Sequence, residues 1–69
     1  MSSETLDLNQ IALEAFVRLE EARNSVGESI RLQHAEDNPY RIKKLITSGK
    51  LAMAQAWRLI KALDESYAG

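Results

Sequence analysis

Two stretches of similar length each repeat small or apolar residues at alternating spacings of three and four, and the chain's one proline stands between them. The second stretch carries Ile42, Leu45, Gly49, Ala52, Ala56, Leu59 and Leu63, with Ile46, Met53 and Ile60 beside that line. The first carries Leu8, Ala12, Ala15, Leu19, Ala22, Val26 and Ser29, flanked by Ile11 and Ile30. Such spacing keeps the side chains on one face of an α-helix. Pro39 disfavours a helical conformation at Asn38, so the two stretches do not join into one helix.

The limits follow from local chemistry. Asp7 is a good N-cap, Gln10 completes a capping box, and Leu6 and Ile11 have the spacing of a hydrophobic staple. The first helix therefore starts near residue 8, with a start at Ser2 or Ser3 as the alternative, and runs to about residue 33. Nothing inside it breaks a helix strongly, since Gly27 costs only ~1 kcal/mol against alanine. Residues 34–38 form the turn. Asn38 caps the second helix and Pro39 fits its first turn, where a missing N–H does no harm. That helix runs from residue 39 to about 66. Each helix is ~40 Å long at 1.5 Å per residue. The expectation is a single all-α domain over 1–69, an antiparallel two-helix hairpin.

A chain of 69 residues is small for such a fold. Below roughly 70–80 residues a single core rarely contributes more than ~3–5 kcal/mol, and small proteins add disulfides, a metal or a second subunit. There is no cysteine, which excludes disulfides and thiolate metal sites. The single His34 cannot make a structural metal site alone. Oligomerisation is the remaining device, so the expectation is a homodimer that closes a four-helix bundle. Its core would draw on Leu8, Ala15, Leu19 and Val26 from the first helix. The second would supply Leu45, Gly49, Ala52, Met53, Ala56, Leu59, Ile60 and Leu63. A monomer completed by a partner protein is the alternative. No apolar run approaches the ~18 residues needed to cross a membrane, and the N-terminus lacks the features of a signal peptide. A cytoplasmic location without a membrane partner is expected.

Charge divides the chain. Residues 1–38 carry eight acidic and three basic side chains, and residues 39–69 carry two acidic and six basic, within a net charge of −1. Side-by-side packing of the two halves explains this as well as a nucleic-acid partner does. Two surfaces are candidates for function. The first lies at the open end of the hairpin, where Leu6, Leu13 and Val17 point away from the seam of the first helix and Phe16 bridges to it. Trp57 stands at the edge of the second helix's stripe, beside Met53 and Ile60. Dimerisation would bury such a patch, and a docking site for another protein would use it. The second surface is basic. Lys43, Lys50 and Lys61 share an outward face of the second helix, Arg58 and Trp57 border it, and Tyr40, Arg41 and Lys44 extend it to the turn. Tyr40 and Leu51 lie on a neighbouring face. Basic residues near a helix N-terminus oppose the helix dipole, at ~0.3–1 kcal/mol each when exposed. That placement points to an acidic partner, or else to pairing with Glu28, Glu36 or Asp37 across the turn.

Catalysis finds no support. No Ser–His–acid or Cys–His set exists, no Glu-x-x-His motif for a di-metal bundle is present, and there is no glycine-rich phosphate loop. No cofactor, metal or small-molecule substrate is expected. In length and topology the chain resembles the Rop family of dimeric helical hairpins, which bind paired RNA loops. In that family the first helix supplies much of the RNA-binding face, and here it carries Glu14, Glu20, Glu21 and Glu28, which repel phosphate. The 69-residue length, the two-helix format, the aromatic Phe16, Tyr40 and Trp57 and the basic second helix also resemble a class of phage-encoded inhibitor. These are small dimeric proteins of the quorum-sensing anti-activator type. That resemblance implies a protein that blocks a host transcription factor, and such proteins can also inhibit a pilus-assembly ATPase. The sequence thus leads to a non-enzymatic module that binds and regulates another protein, with a Rop-like RNA binder and a structural assembly protein as the alternatives.

Overall fold

The computed structural model describes residues 3–68, with side-chain surroundings from Leu8 onward. Helix α1 spans Ser3–His34 and helix α2 spans Pro39–Ala68. They pack antiparallel as an all-α hairpin whose Cα atoms extend over 53 × 18 × 13 Å. Helix α1 thus takes the early start. Asp7 lies inside it rather than capping it, and the Leu6 staple falls outside the residues whose side chains are described.

The turn is built as the capping residues dictate. Helix α1 closes with two backbone bonds, Glu36 N–H to the Gln33 carbonyl at 3.1 Å and Asp37 N–H to the Leu32 carbonyl at 2.9 Å. This pair of bonds is a Schellman motif. It requires a left-handed residue, and Glu36 takes that role at φ 55°. Asn38 then caps α2, its side-chain oxygen accepting from the Tyr40 N–H at 2.9 Å. Its carbonyl accepts from the N–H groups of Arg41 and Ile42. Asp37 braces the cap by accepting from the Asn38 N–H at 2.6 Å and from the Arg41 guanidinium at 3.2 Å.

Glu36 holds its left-handed backbone at a cost of ~1–2 kcal/mol, which glycine does not incur. Glycine gives back ~0.5–1 kcal/mol through its freer unfolded chain. Glu36→Gly is therefore expected to stabilise the protein by ~0.5–1 kcal/mol, read as a higher urea midpoint at fixed protein concentration. A lowered midpoint would mean that the Glu36 side chain holds the turn by more than its backbone strains it.

The seam between the helices is made of small residues. Ala15, Ala22, Ser29 and Leu32 of α1 are buried against Gly49, Ala52 and Ala56 of α2. The Ser29 hydroxyl is satisfied locally, donating to the Val26 carbonyl at 2.6 Å. The closest approach is at Gly49, where a Cβ would stand 2.9 Å from Val26 Cγ2 and 3.5 Å from the Ala22 carbonyl oxygen. On α2 the contact line is the one the sequence indicates, with Ile42, Leu45, Leu59, Ile60 and Leu63 half-buried around the three small residues. On α1 it is not. Leu8, Ala15, Ala22 and Ser29 face α2, but their companions are Ile11, Arg18, Ser25 and Leu32. Ala12, Leu19 and Val26, expected on the seam, are exposed. Both lines share every seventh residue and differ by about 100° in the position between, which is one residue's rotation on a helix.

Candidate protein-binding surfaces

The rotation of α1 gives the hairpin two unlike flanks. On one, Leu19, Val26 and Ile30 of α1 and Ile46 and Met53 of α2 line a groove of about 780 Å³, floored by Ala22 and Gly49 and edged by Arg23 and Lys50. All five large side chains are exposed. On the other flank, Glu21, Asn24, Ser25, Ser48 and Gln55 line a polar groove together with Leu51 and Ala52.

The open-end patch read from the sequence does not come together as one surface. Phe16 lies three residues before Leu19, and Trp57 four after Met53, so both extend the apolar flank. The antiparallel register that sets Gly49 against Ala22 and Val26 puts Phe16 and Trp57 at one level, where they are 62% and 65% exposed. Leu13 and Val17 are exposed elsewhere. Val17 shares a line with Glu21, Asn24 and Glu28 at spacings of four, seven and eleven, on the polar side, and Leu13 lies on the outer back of α1.

The basic surface has a definite centre. Tyr40 and Leu51 are 74% and 62% exposed, and both line a depression of about 330 Å³ with Lys43, Lys44, Thr47 and Ser48. A second depression of about 390 Å³ shares Tyr40, Lys44 and Ser48 and reaches across the seam to Glu28, Leu32, Arg41 and Leu45. Arg41 is committed to Asp37. Among the described residues no carboxylate lies within ion-pair distance of Lys43, Lys44, Lys50 or Lys61. Pairing across the turn, expected as an alternative to partner binding, is thus realised by Arg41 alone. Glu28, the acid best placed to neutralise Lys44, turns to Arg31 in its own helix, which donates Nε at 3.1 Å and a second, shorter bond. Hydrogen bonding from Arg31 holds the Glu28 carboxyl below its ordinary value, partly opposed by burial and helped by the charges of Arg31 and Arg41. Lys50 and Lys61 do not join this centre. Lys50 edges the apolar groove, and Lys61 lies further along α2, toward the open end.

Among the described residues no three His, Asp or Glu side chains come together as metal ligands, and no helix is long and apolar enough to cross a membrane. Fold and surfaces define a helical hairpin with one apolar flank and a basic, aromatic-centred outer face. Comparison of the chain with protein-family models, curated proteins and solved structures gave no match.

Proposed function

We propose that the chain is a non-enzymatic, cytoplasmic, homodimeric module that binds and regulates another protein, in the manner of the anti-activator type it resembles. The observation that carries this is the Tyr40 centre. Among the described residues Lys43 and Lys44 have no carboxylate partner, and they stand beside two large exposed side chains, Tyr40 and Leu51. They do so in the first turns of a helix whose positive end disfavours them. Tyrosine supplies contact area at low conformational cost, and bordering cations supply orientation and on-rate toward an acidic surface. A transcriptional regulator with an acidic patch fits that description.

The RNA alternative rests on the same lysines. It is weakened by Glu28, which lines the depression beside Tyr40 and Lys44, and by Glu21 on the adjoining polar flank. Glu14 and Glu21 hold Arg18, and Glu28 holds Arg31, so two of the three arginines of α1 are themselves occupied, and the third, Arg23, edges the apolar groove on the other flank.

The test is capture from cell lysate by the tagged protein, with and without nuclease, beside the double variant Lys43→Glu/Lys44→Glu. A protein partner that survives nuclease, falls about tenfold or more in the variant, and weakens with salt agrees with the proposal. Nuclease-sensitive recovery makes the lysines an RNA site. A nuclease-resistant partner held equally by the variant removes the Tyr40 centre from the interface.

A further inference from the structure

We infer that the apolar flank lined by Leu19, Val26, Ile30, Ile46 and Met53 packs against the same flank of a second copy of this chain. The inference deepens the proposed homodimer by naming its face, and it rests on that homodimer but not on which partner the dimer regulates. Four observations carry it.

The first is where the large side chains went. The fully buried centre of the seam holds alanines, a serine, a glycine and a single large residue, Leu32, with larger apolar side chains half-buried around it, whereas five large apolar side chains stand exposed on one flank. A hairpin that stood alone in water would gain most by turning Leu19 and Val26 into its seam. Here Arg18 and Ser25 take those places, half-buried. The apolar stripe of α1 is aimed between its neighbour and the flank, which is how helices of a four-helix bundle aim at the bundle axis.

The second is asymmetry. The opposite groove is lined mainly by Glu21, Asn24, Ser25, Ser48 and Gln55, with Leu51 its one large apolar side chain. Of the two grooves, the first alone is walled by large apolar side chains on both helices.

The third is shape. Ala22 and Gly49 form a trough between a ridge of Leu19, Val26 and Ile30 and a ridge of Ile46 and Met53. Two ridges and a trough are self-complementary, since a ridge of one copy fits the trough of the other, as an isologous interface requires. Arg23 and Lys50 at the edges can lay their aliphatic stems along the interface and keep their charges in water.

The fourth is area. The hairpin extends over 53 × 18 Å, so its flank can supply about the 800 Å² per partner typical of a stable complex. The Tyr40, Lys43 and Lys44 surface stays outside, and a dimer presents it twice.

The experiment is sedimentation velocity from about 1 to about 100 μM protein, combined with acrylamide quenching of Trp57, the only tryptophan, which lies on this flank. The expected result is a dimer whose melting temperature rises with concentration, with Trp57 shielded in the dimer and opened on dilution. Met53→Glu should raise the dimer dissociation constant about 100-fold or more, while Lys43→Glu/Lys44→Glu stays dimeric even if it loses its partner. A wild-type chain that is monomeric and fully helical at the highest concentration overturns the inference. So does a dimer in which Trp57 stays as accessible to quencher as in the monomer, since the copies then meet elsewhere. If Met53→Glu fails to fold, the wild-type concentration dependence and the Trp57 quenching decide alone.

Discussion

Gly49→Leu is expected to take the hairpin apart. Space there is short: a Cβ alone would meet Val26 Cγ2 at 2.9 Å, with the Ala22 carbonyl oxygen at 3.5 Å and Ser25 Cβ at 3.7 Å behind it. Leucine carries three further carbons into the same space, and helix backbone gives way only by moving the whole helix. Overpacking of this kind costs ~1–3 kcal/mol, occasionally more. A fold of this size has only ~3–5 kcal/mol from its core, so most of the transition is lost. Gly49→Ala is the informative control. It gains ~1 kcal/mol of helix propensity and displaces one methyl of Val26, a residue with essentially one rotamer in a helix. The two effects oppose each other, and the net is expected within about 1 kcal/mol of zero. Thermal melts followed by circular dichroism separate the variants. A leucine variant that melts with the wild type would show that the helices do not approach this closely at Gly49.

Much of this architecture is legible in the residues. The two 4-3 stripes and Pro39 specify two helices and a turn, and Asn38 at the cap with Pro39 behind it is confirmed bond for bond. The contact line of α2 is legible because its small residues coincide with the centre of its apolar stripe. The contact line of α1 is not. Leu8, Ala15, Ala22 and Ser29 belong equally to a line through Leu19 and Val26 and to one through Arg18, Ser25 and Leu32. Hydrophobicity favours the first, and the structure has the second. A count of apolar residues points to where the most surface is to be covered, and in α1 that is the flank. Leu32 is not legible for the same reason: it lies off the apolar line, next to the turn. Its signal is the Schellman motif, in which the residue whose carbonyl accepts the closing N–H of the turn is commonly a packed hydrophobe. That motif is hidden in the sequence because Glu36, not glycine, occupies its left-handed position.

The candidate surfaces were legible residue by residue but not as surfaces. Spacing places Phe16 and Trp57 at the borders of the two stripes, and the antiparallel register is what sets them level on one flank. Leu13 and Val17 share with them a position off the seam near the open end, yet the 100° step per residue carries Val17 to the side of Glu21 and Glu28. The lysines of α2 could be placed on its outward face from spacing alone. Whether Glu28 or Asp37 would neutralise them could not, because the outcome depends on which arginine each acid reaches first. Arg31 is three residues from Glu28, and Arg41 is four from Asp37. Local i, i+3 and i, i+4 pairs form at little entropic cost, so Glu28 and Asp37 are engaged, Glu36 makes no ion pair among the described residues, and Lys43 and Lys44 are left.

Leu32→Ala is expected to be the costliest truncation in the seam, at ~2–3 kcal/mol. Leu32 is 4% exposed and is the one large side chain buried between the helices. Leucine-to-alanine changes in cores cost ~2–5 kcal/mol, with the lower values where the site collapses or floods. Here the neighbouring depression between Leu32, Tyr40 and Leu45 opens to solvent, so water fills the vacated space and the lower part of the range applies. The damage is also localised. The Leu32 carbonyl accepts the Asp37 N–H that closes α1, and Tyr40 lines the same depression, so the turn end loosens before the open end does. Hydrogen exchange should accelerate from about residue 30 to residue 45 more than near Ala15 and Ala56. Leu51→Ala makes the opposite pair of readings: 62% exposed, it should change stability by less than about 0.5 kcal/mol while weakening capture of the partner at the Tyr40 centre. If Leu32→Ala instead left exchange at the turn unchanged, the hairpin would be held at that end by its caps rather than by its seam. The Tyr40 centre would then owe its position to Asn38 and Asp37, the residues that fix the start of α2.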